Sequence, residues 1–281
     1  MIAAGIVLYS PDIERLNENI GAIGPQVGLV ILVDNGSADK SYLAPYLADG
    51  RFVVISNEEN MGIAHALNQI MEYASAHDIP WVLTLDQDSV VQSDIIGTYE
   101  ALKAPDIGII SCWIEDRNFQ RDESWGLSQG VIELDWCITS ASYTSTEAWK
   151  AAGGFDDRMF IDWVDWDFGI AVKNAGYRII RTYKTKLTHE LGRATKVVRI
   201  GNYDFIVQNK PSIRYYYGTR NLVYMARKYR HIKLHSQLKL ILRNSYVILR
   251  YEGNKWRNLK AIVKGLFSGF TMEMPGTQLP R

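Results

Sequence analysis

The sequence predicts an α/β protein with a Rossmann-like, mostly parallel central sheet that carries helices on both faces. Apolar, strand-like runs alternate with amphipathic helical segments through residues 1–89, a pattern typical of parallel sheets. Each of these runs ends in polar residues. A chain of 281 residues with 47% hydrophobic content is long enough for one large α/β domain with an appendage.

Four strands and three helices are predicted in that first segment. The strands lie at residues 2–9, 27–33, 51–56 and 81–85, where β-branched and other apolar residues dominate. Ser10 is predicted to cap the first helix, with Pro11 at its first position. A short helix follows near residues 41–48, and Asn60 is predicted to cap the third helix.

Two carboxylates follow the fourth strand. Asp86 and Asp88 are separated by one residue, so in an extended chain their side chains point to the same side and can converge on one cation. Mg²⁺ and Mn²⁺ bind oxygen ligands, often one or two carboxylates together with substrate phosphates. The alternative is a turn formed with Ser89. The buried strand before them favours the cation site, because open α/β sheets bind ligands at the carboxyl ends of their strands.

Several classes of protein are disfavoured by what the sequence lacks. The glycine-rich fingerprint of a dinucleotide fold does not follow the first strand, and the P-loop motif is missing. Cys112 and Cys137 lie in apolar segments without zinc-site spacing, so we expect reduced, buried thiols and a cytosolic setting. We expect no signal peptide and no membrane span.

Charge is divided unevenly along the chain. Residues 210–281 hold 15 Lys and Arg against two acids, a balance of +13, while residues 1–209 hold 16 bases against 29 acids, a balance of −13. The basic part predicts an anionic partner, either membrane phospholipid or nucleic acid. It carries no aromatic and basic motif for reading nucleic acid, which favours the membrane. The alternative is that the basic part docks on the acidic part.

Four motifs in order carry a resemblance to a known family. They are Ile6–Pro11, Val33–Ser37, Asn60–Asn68 and Asp86–Ser89, and together they resemble the nucleotide-sugar half of a family 2 glycosyltransferase with the GT-A fold. The Asp-Gln-Asp-Ser form and the later segments most resemble bacterial rhamnosyltransferases that use dTDP-rhamnose. The resemblance implies a GT-A domain over residues 1–220, followed by a basic helical region over residues 221–281.

The resemblance also implies roles for individual residues around the donor. The matching positions edge the nucleoside, hydrogen-bond the pyrimidine imide, and lie beside the ribose and diphosphate. Tyr9 and Pro11 match the positions that edge the nucleoside, and Asp34 matches the acid that bonds the imide. Asn60, Gly62 and Ala64 match the positions beside the ribose and diphosphate. Asp86 and Asp88 match the metal-binding acids, and Asp86 is also assigned to the donor-binding residues. His65 stands where many relatives have arginine, at this position or beside it.

The catalytic base is expected in an acidic, aromatic segment. By resemblance, Asp165 matches the residue that deprotonates the acceptor hydroxyl, and Asp167 matches the second acid of that motif. Asp162 is close enough in sequence to be the base instead. A structural alternative is that Asp165 and Asp167 cap and charge the first turn of a helix ending near Gly176.

Three further segments belong to the expected acceptor half. His189, after a strand at residues 179–187, is either a metal or diphosphate ligand or an ordinary satisfied polar residue. Arg220 either holds the diphosphate, supports the site or forms a structural ion pair. Residues 133–142 are predicted to form a strand ending in small hydroxyl residues, near the donor sugar by resemblance. The alternative is a tight turn.

The C-terminal region is predicted to form basic amphipathic helices. Its predicted apolar stripe consists of Leu234, Leu238, Ile241, Leu242, Ser245 and Leu249, and cations surround it. Such helices suit an anionic lipid interface, although ordinary packing helices with a basic rim are the alternative.

The resemblance therefore implies an inverting, Mg²⁺- or Mn²⁺-dependent transfer of rhamnose from dTDP-rhamnose to a lipid-linked saccharide. This activity belongs to the synthesis of cell-surface polysaccharide such as O-antigen. The chain would be cytoplasmic and peripheral at the inner membrane face. A UDP-sugar donor and a non-catalytic sugar- or nucleotide-binding domain are the alternatives, and self-association stays open.

Overall fold

The computed structural model describes residues 1–116, 130–189, 196–200, 203–207 and 209–275. The loop predicted over residues 117–129 lies outside this part. Two compact units are present. The first comprises Met1–Phe160 and Val164–Glu190, and the second comprises Ile161–Trp163 and Leu191–Arg281.

The first unit is built on one mixed sheet. Within the described residues its strands are β1 Ala3–Leu8, β2 Leu29–Asp34, β3 Phe52–Ser56, β4 Trp81–Asp86, β5 Val90–Val91, β6 Ile107–Asp116, β7 Val131–Leu134, β8 Ser142–Ser145 and β9 Arg178–His189. Their order is β3-β2-β1-β4-β8-β6-β9-β5, with β7 also paired to β9.

Parallel pairing dominates the first half of this sheet. Strands β3, β2, β1 and β4 are mutually parallel, as the alternation of strands and helices predicts. Beyond β4 the orientation changes, because β8 runs antiparallel to both β4 and β6. The α/β fold predicted from the sequence is confirmed.

Helices cover both faces of the sheet. They are α1 Ile13–Ile23, α2 Ala44–Leu47, α3 Ile63–Ala76, α4 Ile95–Glu100, α5 Thr146–Ala152 and α6 Val164–Asn174. On one face, alternate residues of β1 such as Ile6 pack in a core that includes Leu16 of α1 and Tyr99 of α4. The side chains of a strand alternate between faces, and a Cβ at Gly5 would lie 2.3 Å from Ile70 of α3. Helix α3 therefore lies against the opposite face, closer than a side chain at residue 5 would allow.

Two local predictions are corrected. Helix α1 is capped by Asp12 rather than Ser10, because the Asp12 carboxylate accepts from the backbone N–H groups of Glu14 and Arg15 at 3.0 and 3.1 Å. Ser10 has a left-handed φ of 45° and lies outside the helix. The single strand predicted at residues 133–142 is instead the end of β7 followed by a connection to β8.

The second unit contains a two-stranded antiparallel sheet, β10 Lys196–Ile200 and β11 Tyr203–Val207, and three helices. The helices are α7 Ser212–Lys228, α8 Leu234–Tyr251 and α9 Lys255–Thr271. The predicted division at residue 220 falls inside α7, whereas the compact units divide at residue 190. Within the described ranges, none of the helices combines the length and apolarity needed to cross a membrane.

Glycine allows α9 to pack tightly on α7. A Cβ at Gly265 would lie 2.4 Å from the Tyr216 carbonyl oxygen, and one at Gly269 would lie 2.6 Å from that of Arg220. These two glycines are four residues apart and so lie on one side of α9. This contact decides which side of α9 faces inward.

Candidate active site

The register of the parallel strands brings the carboxyl ends of β1, β2, β3 and β4 to one edge of the sheet. Leu8 pairs with Asp34, and Asp34 pairs with Ser56. On the other side of β1, Val7 pairs with Asp86. The polar residues at the carboxyl ends of these strands therefore meet at a single edge, where open α/β sheets bind ligands.

Asp34 is fully buried at this edge and is only partly satisfied. Its Oδ1 accepts from the backbone N–H of Ser37 at 3.0 Å and from the Tyr42 hydroxyl at 3.3 Å. Its Oδ2 accepts no hydrogen bond, and the Lys40 Nζ lies 3.9 Å from it. Burial raises the pKa of Tyr42 to about 12, so the phenol stays a donor. A buried acceptor without a donor is costly, and a ligand N–H reaching Oδ2 would remove that cost.

Tyr9 and Pro11 follow β1 at the same edge. The backbone N–H of Tyr9 donates to Gln87 Oε1 at 2.8 Å, while half of the Tyr9 side chain is exposed. Pro11 is half-buried. The loop between them is held by Ser10, whose N–H donates to Ser37 Oγ at 2.8 Å. This loop therefore leaves about half of the Tyr9 side chain exposed to solvent.

Asn35 is a site residue that the sequence analysis missed. Its amide donates to Asn60 Oδ1 at 3.2 Å and to the Gly62 carbonyl at 3.1 Å, and its oxygen accepts from Met61 N–H at 3.0 Å. Asn57 Nδ2 also donates to Asn35 Oδ1, at 3.0 Å. Asn35 thus connects the end of β2 to the loop that leads into α3. It lies next to Asp34 in the quoted motif, which was the available signal.

The start of α3 depends on Gly62. This residue has a φ of +91°, and a Cβ there would lie 2.7 Å from the backbone of Phe160. The next amide, Ile63 N–H, donates to the Phe160 carbonyl at 2.6 Å. Asn60 is not the helix cap, since Gly62 occupies that position, but its side chain accepts from Gly62 N–H at 2.9 Å. Ala64 is buried in the first turn.

The paired acids occupy a turn rather than a continuous strand. Asp86 is the last residue of β4, and Ser89 N–H donates to the Asp86 carbonyl at 3.2 Å. The extended-chain argument for Asp86 and Asp88 is therefore wrong in detail, because Asp88 lies in the turn. Asn19 Nδ2 of α1 also donates to the Asp86 carbonyl, at 2.7 Å. Asp86 and Asp88 are therefore part of a turn, and this turn lies directly after the end of β4.

The donor set of this turn fits a hard divalent cation. Two carboxylates are enough when the substrate's phosphates and water supply the other oxygens. Across the described ranges, His, Cys, Asp and Glu form no cluster of three or more that could hold a metal. His189 ends β9, but its side chain lies outside the described part of the structure.

Asp165 and Asp167 both lie in the first turn of α6. Asp165 is half-buried, and its Oδ1 accepts from the backbone N–H of Trp166 at 3.0 Å. Asp167 is buried. Their position favours the negative charges electrostatically at the helix N-terminus, which is one of the two alternatives raised by the sequence.

Asp162, the competing base, is engaged by a guanidinium. Within the second unit, Arg214 Nε donates to its Oδ2 at 2.9 Å and Arg214 Nη2 donates to its Oδ1 at 2.6 Å. This is the bidentate arrangement that makes arginine–carboxylate pairs strong and specific. Both oxygens of Asp162 therefore have a cationic partner.

The segment Ile161–Trp163 is held by further contacts inside the second unit. Asn221 Nδ2 donates to the carbonyls of Ile161 and Asp162, each at 2.9 Å. The indole N–H of Trp163 donates to the Gly218 carbonyl at 2.9 Å. Asp162 and Trp163 both have a φ of 67°, a costly conformation for residues with side chains. These bonds stabilise that strained backbone.

Arg220 lies on α7 in the second unit. Its Nε donates to Asn221 Oδ1 at 2.9 Å, and its guanidinium lies 4.6 Å from the ring centroid of Tyr217. Arg220 therefore contacts the same asparagine that binds the Ile161–Trp163 segment. The role of Arg220 toward a diphosphate stays a prediction.

Two other predicted segments have structural contacts in the first unit. His65 Nδ1 lies 3.2 Å from the Asp157 carboxylate. The connection before β8 is a tight turn. Ala141 N–H donates to the Thr84 carbonyl at 2.8 Å, and Ser140 Oγ lies 2.7 Å from Ser89 Oγ.

Comparison with known proteins finds a matching family and a relative that is similar over nearly the whole chain. The family model for glycosyl transferase family 2 matches residues 18–162. The dTDP-rhamnosyl transferase RfbF of Shigella flexneri is 25% identical over 298 aligned positions, covering 95% of this chain and 95% of that protein.

Solved structures give the same picture of the fold. S. aureus TarS 1-349 has a TM-score of 0.57 at 14% identity, covering 97% of this chain and 73% of that one. The mannosyltransferase PcManGT from Pyrobaculum calidifontis, in complex with GDP-Man and Mn²⁺, has a TM-score of 0.58 at 17% identity, with 98% and 76% covered. These likenesses show the GT-A fold that the resemblance implied.

Proposed function

Because the chain belongs to glycosyl transferase family 2 and is a glycosyltransferase, we propose that it transfers rhamnose, with inversion, from dTDP-rhamnose to a lipid-linked saccharide. The observation that carries this proposal is the alignment of strand ends, which brings the half-satisfied Asp34 and the Asp86 turn to one edge. A pyrimidine and a metal-bound diphosphate are complementary to these two groups. The transfer serves cell-surface polysaccharide synthesis, such as that of O-antigen.

Asp34 recognises the base of the donor in this proposal. A pyrimidine imide N–H donates to Oδ2, while Oδ1 stays bonded to Ser37 and Tyr42. Tyr9 and Pro11 edge the nucleoside, and Asn60, Gly62 and Ala64 border the ribose and diphosphate. Thymine and uracil offer the same imide, so the preference for dTDP-rhamnose is supported by the similarity to RfbF. A UDP-sugar is the alternative donor.

Asp86 and Asp88 would hold the Mg²⁺ or Mn²⁺ ion. When bound, the ion neutralises the charge that develops on the departing nucleoside diphosphate. The metal-bound form of PcManGT supports a divalent ion for this fold. His189 is a further ligand in the proposal, on sequence resemblance alone.

Asp165 accepts the proton from the acceptor hydroxyl as that oxygen attacks the anomeric carbon. The new glycosidic bond forms on the face opposite the breaking bond to the diphosphate, and the proton ends on the carboxylate. Asp162 is less suited to this role because Arg214 binds both of its oxygens. This contact supports Asp165, which lies three residues further along the chain.

The acceptor side of the proposal concerns membranes. The helices of the second unit expose basic and apolar side chains, which supports a peripheral position at the cytoplasmic face of the bacterial membrane. A lipid-linked saccharide would be presented at that surface. Nucleic acid is not a partner in this proposal, and self-association is not required by it.

Nucleotide release from a panel of dTDP- and UDP-sugars tests the proposal. The assay contains a membrane lipid extract as acceptor and is run with and without Mn²⁺. We expect metal-dependent release of dTDP from dTDP-rhamnose. Release from a UDP-sugar instead would overturn the donor assignment, and nucleotide binding without release across the panel would favour a non-catalytic binding domain.

A further inference from the structure

We propose that the outward face of α9 is the surface that enters the headgroup layer of an anionic membrane. This inference deepens the proposed function, on which it rests for its choice of partner. The packing of α9 fixes the face in question. Gly265 and Gly269 press against the α7 backbone, so the opposite side of the helix points away from α7.

That opposite side is apolar. Trp256 is 81% exposed and Phe267 is 69% exposed, with Val263 at 52% and Phe270 at 44%. At about 100° per residue these four positions fall within about 60° of one another around the helix. A helix exposed only to water usually places polar residues there, and a contiguous exposed apolar stripe marks an interaction site.

Cations border the stripe along one side. Arg257, Lys260 and Lys264 are exposed, and in the described part of the chain none of them forms an ion pair. Helix α9 contains no acidic residue. The partner therefore has to be apolar in its interior and negatively charged at its surface, which describes an anionic bilayer.

A groove beside the stripe brings both features together. Its volume is about 860 Å³, and it lies between the start of α7 and α9 within the second unit. All three cations line it, together with the exposed apolar residues Ile213 and Phe267. A lipid phosphate in this groove would meet the cations while the acyl region contacts the apolar stripe.

The predicted stripe on α8 is a weaker candidate. Its members lie on one arc of about 100°, in which Ile241 is buried whereas Leu242 and Leu249 are exposed. The exposed large apolar residues of α8 include Leu242, Tyr246 and Leu249, and none of them is as exposed as Trp256 of α9. Sequence periodicity alone could not separate the buried edge of this arc from the exposed one, since both contain aliphatic residues.

Matched charge variants of the full-length chain test the inference by cosedimentation with vesicles. One variant combines Arg257→Gln, Lys260→Gln and Lys264→Gln, and the control combines Lys233→Gln, Lys239→Gln and Arg250→Gln. We expect the α9 variant to lose affinity for phosphatidylglycerol-containing vesicles by on the order of 100-fold, about fivefold per cation. The α8 control, with the same change in net charge, should lose several-fold less.

A second pair of variants separates the apolar contribution from charge. Phe267→Ser should lower vesicle affinity, whereas Leu242→Ser on α8 should not. Equal losses in both charge variants, or in both serine variants, would overturn the assignment of the α9 face. Light scattering provides a further test. A dimeric mass for the unmodified chain and a monomeric mass for Phe267→Ser would also overturn the assignment, because a second copy of the chain would then cover the stripe.

The outcome is independent of sugar transfer. Vesicle binding that follows the α9 face without nucleotide release from any donor would retain this inference and reject the proposed function. Transfer to a detergent-solubilised acceptor by a chain that does not bind anionic vesicles would reject this inference and retain the function. Binding to vesicles of pure phosphatidylcholine with equal affinity would contradict the role of the cations.

Discussion

At the scale of single residues, the site is defined by polar atoms that the fold buries and leaves partly satisfied. Asp34 is the main example, since two donors hold one of its oxygens and none reaches the other. Folding tolerates this cost because the residue is fixed at the end of β2 by its neighbours. Binding a donor N–H would recover part of that cost.

Replacing Asp34 by asparagine should weaken binding of dTDP and UDP by about 10- to 100-fold, on the order of 1.5–3 kcal/mol. The remaining oxygen still accepts from Ser37 and Tyr42, while the new amide group faces the imide donor to donor. Calorimetry measures the affinity. Asp39→Asn is the control, because it changes an exposed carboxylate nearby. An equal loss in both variants would contradict the assignment.

Replacing the two candidate bases should affect different properties of the protein. Asp165→Asn should lower transfer by about 100- to 10,000-fold and leave nucleotide affinity unchanged. Asp162→Asn should instead lower stability by about 1.5–3 kcal/mol, because Arg214 loses a charged acceptor. Single-turnover transfer and thermal unfolding measure the two effects. Full transfer by Asp165→Asn would show that this residue is not the base.

At the scale of elements, the site depends on how strands and helices are joined. The loop into α3 is held from three directions, by Asn35, by its own Asn60 and by the Phe160 carbonyl. The motif containing these residues could be recognised in the sequence. The role of Asn35 could not, because its partners lie 22 to 27 positions away along the chain.

Gly62→Ala should destabilise the chain and weaken donor binding. A φ of +91° costs about 1–3 kcal/mol for a residue with a Cβ, and the added methyl group would also meet the Phe160 backbone at 2.7 Å. Urea unfolding and nucleotide titration measure the two effects.

Gly97→Ala provides the matched control for that change. A Cβ there meets nothing within 4 Å, and the residue lies inside α4. Stability should therefore rise by about 0.5–1 kcal/mol, as expected for removing glycine from a helix. If both variants behaved alike, the strained start of α3 would not be the cause.

At the scale of the whole molecule, two buried cysteines make the stability of the fold depend on pH. Both cysteines are buried in the first unit and are not joined by a disulfide, which confirms their predicted burial. Burial raises the pKa of Cys112 to about 12 and that of Cys137 to about 11. An ordinary thiol has a pKa of about 8.5.

These raised values predict how stability depends on pH. The folded chain keeps both thiol protons above pH 8.5 whereas the unfolded chain releases them, so the unfolded state binds fewer protons and stability falls as pH rises. The contribution is complete below about pH 8.5 and is lost progressively toward pH 11–12. The double variant Cys112→Ala/Cys137→Ala should have a shallower decline in urea unfolding over this range. An identical slope would contradict the burial argument.

The sequence alone was enough to predict the α/β class, the parallel first half of the sheet and the ordered motifs that resemble family 2 glycosyltransferases. These features depend on local periodicity and on short motifs, which are properties of neighbouring residues. Charge asymmetry was likewise visible in the sequence, because it requires only counting.

The residues that complete those local features could be identified only from contacts in the folded chain. The capping of α1 by Asp12, the turn at Asp88, the pairing of Asp162 with Arg214 and the inward side of α9 all depend on contacts or backbone angles that no periodicity encodes. The pairing of Asp162 with Arg214 joins residues 52 positions apart. The division into units at residue 190 follows from such contacts too, because compactness arises only when distant segments pack together.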